Sequence, residues 1–336
     1  MVQTVLRGLK SWGLTRDIFF LGLARGVDSF GASLMIVLIP LFVEHNDITV
    51  LNLSTPMVIG LVLSVYGFTN TACQPFVGTL IDRFGYKKLF ISLGLGTYAV
   101  GTALFSVFQS FAAITTLRIL QGIGIALTIP PSLTLMTEYT KQDTRGTAMS
   151  FYNVMRLAGF STGPVVGGYL LTYFDFTPVI LLGASAGLVG ALLVQLLVRD
   201  VRHEPGDDNG SFLRDIMSFF SPEMIDFLTL AFANVSMALS ISLIAPLENE
   251  FNRRLSQTPG DFGLAFSALI VTLMIVQIPV GRLADRIGRK ILIVSGLVLL
   301  IPATIWMGFV LTTTQFVLAR MIQGISVACV AAPTFA

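Results

Sequence analysis

A chain of 336 residues that is 54% hydrophobic and only 12% charged, with mean hydropathy +0.81, is not built like a soluble domain, in which about 25% of residues are charged. It is an integral membrane protein. Apolar runs of about 20 residues from end to end select spanning helices and exclude a barrel of alternating strands.

In chain order, residues 1–16 are polar and basic, with Arg7, Lys10 and Arg16 around a lone Trp12. No small-residue cleavage site follows the first apolar run, so that run is expected to stay as a membrane anchor. Hydropathy predicts spans over 17–43, 56–77, 89–108, 111–137, 146–173 and 178–198, each end good to about three residues. A polar stretch, 199–221, then carries Pro205, Gly206, Asp207, Asp208, Asn209 and Gly210, which is linker chemistry. Spans follow over 224–247, 261–281 and 290–311, and another starts near 314 before the chain stops at Ala336. The expected domains are 1–198, a linker over 199–221, and 222–336.

Lysine and arginine set the expected orientation. With the amino terminus inside, Arg83, Lys87, Lys88, Lys141, Arg145, Arg199, Arg202, Arg214, Arg282, Arg286, Arg289 and Lys290 join Arg7, Lys10 and Arg16 on the inner side. Outer segments keep only Arg253 and Arg254. The positive-inside bias therefore predicts a cytoplasmic amino terminus in a multi-pass plasma-membrane protein.

The two cysteines, Cys73 and Cys329, sit inside apolar runs, and the two histidines, His45 and His203, sit in predicted loops. Neither set suits a disulfide framework or a metal site. No glycine-rich loop ends in Gly-Lys-Ser or Gly-Lys-Thr, so nothing points to ATP hydrolysis. No enzymatic activity, cofactor, metal or nucleic-acid partner is expected.

One stretch organises the rest. Gly78-Thr79-Leu80-Ile81-Asp82-Arg83-Phe84-Gly85-Tyr86-Lys87-Lys88 reads as a short charged loop between two apolar runs. It returns as Gly281-Arg282-Leu283-Ala284-Asp285-Arg286-Ile287-Gly288-Arg289-Lys290, a repeat with a period of about 203 residues. Gln74 matches Gln277, and Arg118-Ile-Leu-Gln121-Gly122-Ile matches Arg320-Met-Ile-Gln323-Gly324-Ile. Asp28 and Pro40 in the first span align with Asn234 and Pro246 in the seventh. Two halves in the same order imply a pseudo-twofold axis along the membrane normal.

These residues resemble the major facilitator superfamily of transporters, over the whole chain and in order. Gly78, Asp82, Arg83, Gly85 and Lys87 match its Gly-x-x-x-Asp-Arg-x-Gly-Arg-Lys loop, with Tyr86 where arginine is usual and Arg289 keeping that arginine in the second copy. Arg118, Gln121, Gly122 and Gly124 resemble its Arg-x-x-Gln-Gly segment. Gly159, Gly163, Pro164, Gly167 and Gly168 resemble the signature of its antiporters. The resemblance implies an all-α polytopic fold of two six-helix bundles with a parallel pseudo-twofold repeat. The family usually has about twelve helices and about ten fit here, so the chain is expected to be truncated after about helix 10. The family's loop acts as a conformational latch, which here implies Gly78, Asp82, Arg83, Gly85 and Lys87, with Gly281, Asp285, Arg286, Gly288, Arg289 and Lys290. Glu138 and Asp143 are plausible partners for its cations. The alternative is a positive-inside loop with a turn glycine.

Charges inside the spans are the candidate chemistry. Arg25, Arg118, Arg156 and Arg320 lie within spans, and Asp28 is the acid well inside one. Each costs about 2.5–3.5 kcal/mol at mid-bilayer on insertion scales. Asp28 is about 16 Å into the first helix, with Arg25 one turn away on the same face. Asp28 is the candidate proton-coupling carboxylate, tuned by Arg25 and Arg118, since a group alternately exposed to water and to cations changes its proton affinity. The alternative is a fixed ion pair of Asp28 with Arg25 or Arg118. Arg156 and Asn234 complete the candidate cavity, and Phe30, Tyr66, Tyr152 and Phe160 are candidate lining. Arg320 is expected on helix-end carbonyls.

The resulting expectation is a monomeric secondary transporter in the lipid bilayer. It would move a small molecule by alternating access, as proton-coupled efflux of a hydrophobic or amphiphilic compound. Proton symport of a small organic anion is the alternative that the arginine excess favours. A truncated, non-transporting scaffold or sensor is the alternative from a different class.

Overall fold

The computed structural model describes residues 14–142, 144–200 and 223–335. Arg7, Lys10, Asp143 and the linker from residue 201 lie outside the described residues. Among the described residues every regular element is helical: α1 (Arg16–His45), α2 (Thr55–Phe84), α3 (Lys87–Ala103), α4 (Phe111–Ala126), α5 (Ile129–Glu138), α6 (Arg145–Tyr173), α7 (Phe176–Leu197), α8 (Glu223–Ser242), α9 (Glu248–Leu255), α10 (Pro259–Ile287), α11 (Arg289–Met307) and α12 (Thr313–Phe335). Short 3₁₀ turns cover Leu104–Ser106 and Ala245–Leu247.

Local chemistry sets these boundaries. The Thr15 hydroxyl accepts the Ile18 N–H at the start of α1, and the Ser110 hydroxyl accepts the Ala113 N–H at the start of α4. Each satisfies a donor that the first helical turn leaves orphaned. Pro130 and Pro131 lack N–H groups, so the predicted span 111–137 breaks at Leu127–Thr128 into α4 and α5. Pro246 does the same to the seventh span. There α8 stops at Ser242, a 3₁₀ turn follows, and α9 runs on to Leu255.

The first correction concerns the two repeated loops. Asp82 and Arg83 are the last helical turn of α2, and Asp285 and Arg286 the last turn of α10. The chain leaves the helix only at Gly85-Tyr86 and at Gly288. Gly85 has φ 69° and its N–H bonds the Ile81 carbonyl, so it caps α2 in the left-handed conformation that glycine adopts without strain. Gly288 has φ 94°.

Nine helical segments among the described residues are long and apolar enough to cross a membrane. The 29-residue α6 is not one of them. Its polar Asn153 and Arg156 and its row of small residues lower its hydropathy, although its length suffices. Large apolar side chains such as Phe68, Leu196, Phe232 and Phe309 are exposed, as a lipid-facing surface requires.

The described residues form two compact units. The first lies within Met1–Pro205 and Pro246–Ser267, the second within Gly206–Ala245 and Ala268–Ala336. In the first unit, α1 packs along α6 and α7, α3 packs on α7 and α4, and α2 packs on α4. Two of its apolar clusters matter for the site. One gathers Leu34, Leu38, Phe42, Val58, Phe105, Leu117 and Ile180. The other gathers Ile18, Leu21, Ile91, Leu135, Tyr152 and Val194. In the second unit, α11 packs on α12, and α8 touches both. Glycines with equivalent places in the repeat do equivalent work. A Cβ on Gly122 would lie 2.8 Å from Thr69 Cβ on α2, and one on Gly324 would lie 3.0 Å from Thr272 Cβ on α10.

Candidate functional site

These two apolar clusters of the first unit leave a band between them, and the charges sit there. Along α1, Ile18, Leu21 and Ala24 belong to one cluster, while Leu34, Met35, Leu38 and Ile39 belong to the other. Arg25 and Asp28 fall in the gap. Their three-residue spacing puts both on one helical face, and Arg25 Nη1 donates to Asp28 Oδ2 at 2.6 Å. Asp28 is 1% exposed and Arg25 13%. Removing either charge from water costs several kcal/mol, which the close pair offsets. Asp28 Oδ1 and Arg25 Nε have no hydrogen-bond partner among the described residues.

A small cavity with room for about one water adjoins the pair. Thr128 and Ser132 line it together with Leu21, Ala24, Ile91, Leu95 and Val194, and the surface it presents is apolar. Both hydroxyls donate to helix carbonyls, Thr128 to Gly124 and Ser132 to Thr128. Their oxygens keep lone pairs to accept a further bond.

The remaining span arginines make different contacts. Arg118 is 3% exposed and pairs with no carboxylate among the described residues. Its guanidinium lies 5.6 Å from the Tyr66 ring centre and 5.2 Å from that of Phe105. Its Nε and Nη2 have no hydrogen-bond partner there. Of the two ion pairs left open above for Asp28, the structure forms the one with Arg25. Gln121, one turn from Arg118, instead donates to the buried Thr102 hydroxyl at 2.8 Å. Arg156 donates through Nε and Nη2 to Asn153 Oδ1 on its own helix. Arg320 donates to Gln323 Oε1 at 2.6 Å. Asn234 donates to the Leu230 carbonyl within α8. Of the aromatics, Phe160 meets Phe266 with ring centres 6.3 Å apart, and Tyr152 belongs to an apolar cluster.

The glycine signature is a two-sided contact. A Cβ on Gly163 would come 2.5 Å from the Phe30 carbonyl oxygen and 2.9 Å from Leu34 N. One on Gly167 would come 3.0 Å from Leu34 Cγ, and one on Gly159 3.0 Å from Phe30 N. These three glycines let α6 press on α1 in the turns that flank Asp28, at Gly26 and Phe30–Leu34. Gly168 and Pro164 face the start of α10. A Cβ on Gly168 would lie 2.9 Å from Gly260 Cα, and one on Gly263 would lie 2.6 Å from the Pro164 carbonyl carbon.

The two latch copies differ. Lys87 is buried and forms an ion pair with Glu138 at the end of α5. Its counterpart Lys290 is exposed, as are Arg289 and Arg286. Asp82 and Arg83 are exposed too, with Arg83 over the Phe84 ring. No heavy atom lies within 4 Å of a Cβ added at Gly78 or Gly281, so neither is required for packing. Near Lys87, the Tyr139 hydroxyl donates to the Arg199 carbonyl, and the Arg199 N–H donates to Asp17. These bonds tie together the ends of α5 and α7 and the start of α1.

Sequence reasoning missed Glu248 and Asn249. It ended the seventh span at residue 247 and read the Glu-Asn-Glu run as an outer loop. Glu248 is 0% exposed, and the Asn249 amide donates to the Pro40 carbonyl at 2.9 Å. The available signal was Pro246, a proline inside the seventh apolar run, where helical bonding breaks.

Comparison with known proteins agrees with this architecture. The family model for the Major Facilitator Superfamily matches residues 21–247 and 227–336. Multidrug resistance protein MdtG of Enterobacter lignolyticus (strain SCF1) is 27% identical over 300 residues, covering 87% of this chain and 70% of that protein. Multidrug resistance protein 2 of Bacillus subtilis (strain 168) is 25% identical over 324 residues, covering 92% and 78%. Among solved structures, a bacterial homolog of the human lysosomal transporter Spinster, inward-facing and unoccupied, superposes with TM-score 0.75 at 16% identity, covering 95% of this chain and 73% of that one. A peptide transporter POT superposes with TM-score 0.71 at 14% identity, covering 93% and 80%. The all-helical architecture, the internal repeat and the family match over most of the chain agree: this protein belongs to the Major Facilitator Superfamily and serves transmembrane transport.

Proposed function

We propose that the protein exports a hydrophobic or amphiphilic compound by alternating access, driven by protons that bind at Asp28. The observation that carries this reading is the Arg25–Asp28 pair. It is a buried carboxylate with one oxygen bonded to a cation and the other without a hydrogen-bond partner among the described residues, in a side chain that lines a small cavity. Such a group changes its charge when a conformational change alters its access to water or to Arg25. A proton on Asp28 weakens the pair and frees Arg25. The glycine contact between α6 and α1 joins that event to helix movement, because it lies on the turns that flank Asp28. Two multidrug resistance proteins among the relatives support efflux. The halves that move are residues 1–198 and 222–336, joined by 199–221, with the amino terminus in the cytoplasm of a plasma-membrane monomer. The repeated helix ends at Asp82–Lys87 and Asp285–Lys290 latch one state.

The test is transport in proteoliposomes with lumenal pH followed while candidate compounds are added. Wild type is expected to move protons against compound, and Asp28→Asn to bind compound without proton movement. Asp28→Asn that follows a proton gradient at the wild-type rate would dismiss the relay. A second reading, symport of a small organic anion, is favoured by Arg118, whose buried donors Nε and Nη2 meet no carboxylate. Counterflow that responds to carboxylates and not to cationic dyes would select it.

A further inference from the structure

Away from the Asp28 site, the first unit buries a second carboxyl. Pro246 ends the run of α8, the 3₁₀ turn Ala245–Leu247 redirects the chain, and α9 opens with Glu248. Glu248 is 0% exposed, and neither carboxyl oxygen has a hydrogen-bond partner or an ion pair among the described residues. Asn252, one turn further along α9, is the polar group that faces it. The charged groups of this region are elsewhere. On α9, Glu250 and Arg253 are 64% and 70% exposed, and Arg254 is exposed too. From α1, Glu44 reaches Arg253 at 3.6 Å, and His45 packs on Phe176. Among the described residues no cation forms an ion pair with Glu248.

An ionised carboxylate taken out of water without a cation costs several kcal/mol, and a neutral acid costs far less. The docked segment therefore holds Glu248 in its neutral form. Docking is extensive around it. The Asn249 amide is bonded to the Pro40 carbonyl, and the start of α10 is seated on Pro164 and Gly168 through Gly263 and Gly260. We propose that Glu248 is a proton-binding site separate from Asp28, whose neutral form keeps α9 and the start of α10 docked on α1 and α6 and whose ionisation releases them. Any state that gives this carboxyl to water lets the proton leave, so proton binding and docking are one equilibrium. The inference rests on the alternating-access reading above, to which it adds a second proton and a gate.

Spin labels at Thr49→Cys and Ser256→Cys, both exposed positions, report the separation of α9 from the end of α1. The full chain, with Cys73 and Cys329 replaced by alanine, is measured in lipid nanodiscs from about pH 5 to about pH 9. The wild-type distance is expected to be short and single at acid pH, with a longer population added as pH rises. Glu248→Gln is expected to lose this response and stay short throughout. Glu248→Asp is expected to keep it with a shifted midpoint. A wild-type distance independent of pH, or an unshifted midpoint in Glu248→Asp, overturns the proposal. So does a wild-type response in Glu248→Gln. Asp28→Asn separates the two readings, and it is expected to leave the response intact. If Asp28→Asn abolishes the response while Glu248→Gln keeps it, the proton belongs to Asp28 and the Glu248 site is wrong. Absence of transport in the proteoliposome assay, with the distance response intact, would sink efflux and leave the Glu248 site standing.

Discussion

Two buried charges in one unit meet opposite fates, and chemistry explains why. Arg25 and Asp28 are three residues apart on α1, so the pair was legible from spacing alone. Arg118 meets its rings across helices, since Tyr66 is on α2 and Phe105 lies in the turn after α3. No sequence spacing encodes that contact. A guanidinium beside rings gains about 0.5–2 kcal/mol, less than its desolvation costs, and Arg118 Nε and Nη2 have no hydrogen-bond partner among the described residues. Arg118→Lys keeps the charge but loses the planar stacking. It is expected to destabilise the protein by about 1 kcal/mol, seen as a lower unfolding temperature in detergent. Lys87→Met removes the buried cation that pairs with Glu138. It is expected to cost more than Lys290→Met, whose parent side chain is exposed, and the same melting experiment compares them.

At the scale of elements, hydropathy located each span but not its breaks. Window averages see apolar content, while proline acts on single hydrogen bonds. Hence 111–137 read as one helix and is two, and 224–247 read as ending where α9 begins. The charged repeat read as a loop because its residues are polar, yet helical bonding continues to Phe84 and Ile287, since charge at a helix end is compatible with the helix. The antiporter-like glycines were legible as a stripe of small residues. Their partners were not, because a glycine does not state which neighbour approaches it. Gly163→Ala sets a Cβ 2.5 Å from the Phe30 carbonyl oxygen. It is expected to lower stability by about 1–3 kcal/mol and to slow transport. Gly78→Ala meets open space and is expected to be neutral or slightly stabilising. Thermal unfolding and flux on both variants check the contrast.

For the whole molecule, the duplication is visible in sequence and in packing alike. Gly122 and Gly324 admit close helix contacts at corresponding places. The halves are not identical in chemistry, since Lys87 is buried while Lys290 is exposed, and Asp28 aligns with a neutral Asn234. The proposed orientation rests on the lysine and arginine bias and has a direct check. A membrane-impermeant maleimide is expected to label Leu51→Cys from outside intact cells and Arg83→Cys only after permeabilisation. The reverse pattern would invert the orientation. Composition, hydropathy and the repeated motif alone determined that this chain crosses a membrane as helices, in two related halves of a known family. Those properties are sums over many residues or spacings along one chain. Only the tertiary structure decided that Asp28 pairs with Arg25, that Arg118 lies among rings, that Lys87 turns inward to Glu138, and that Glu248 is buried. Each of these depends on which face a helix turns toward a neighbour distant in sequence, and burial sets the energy of a charge by what surrounds it in space.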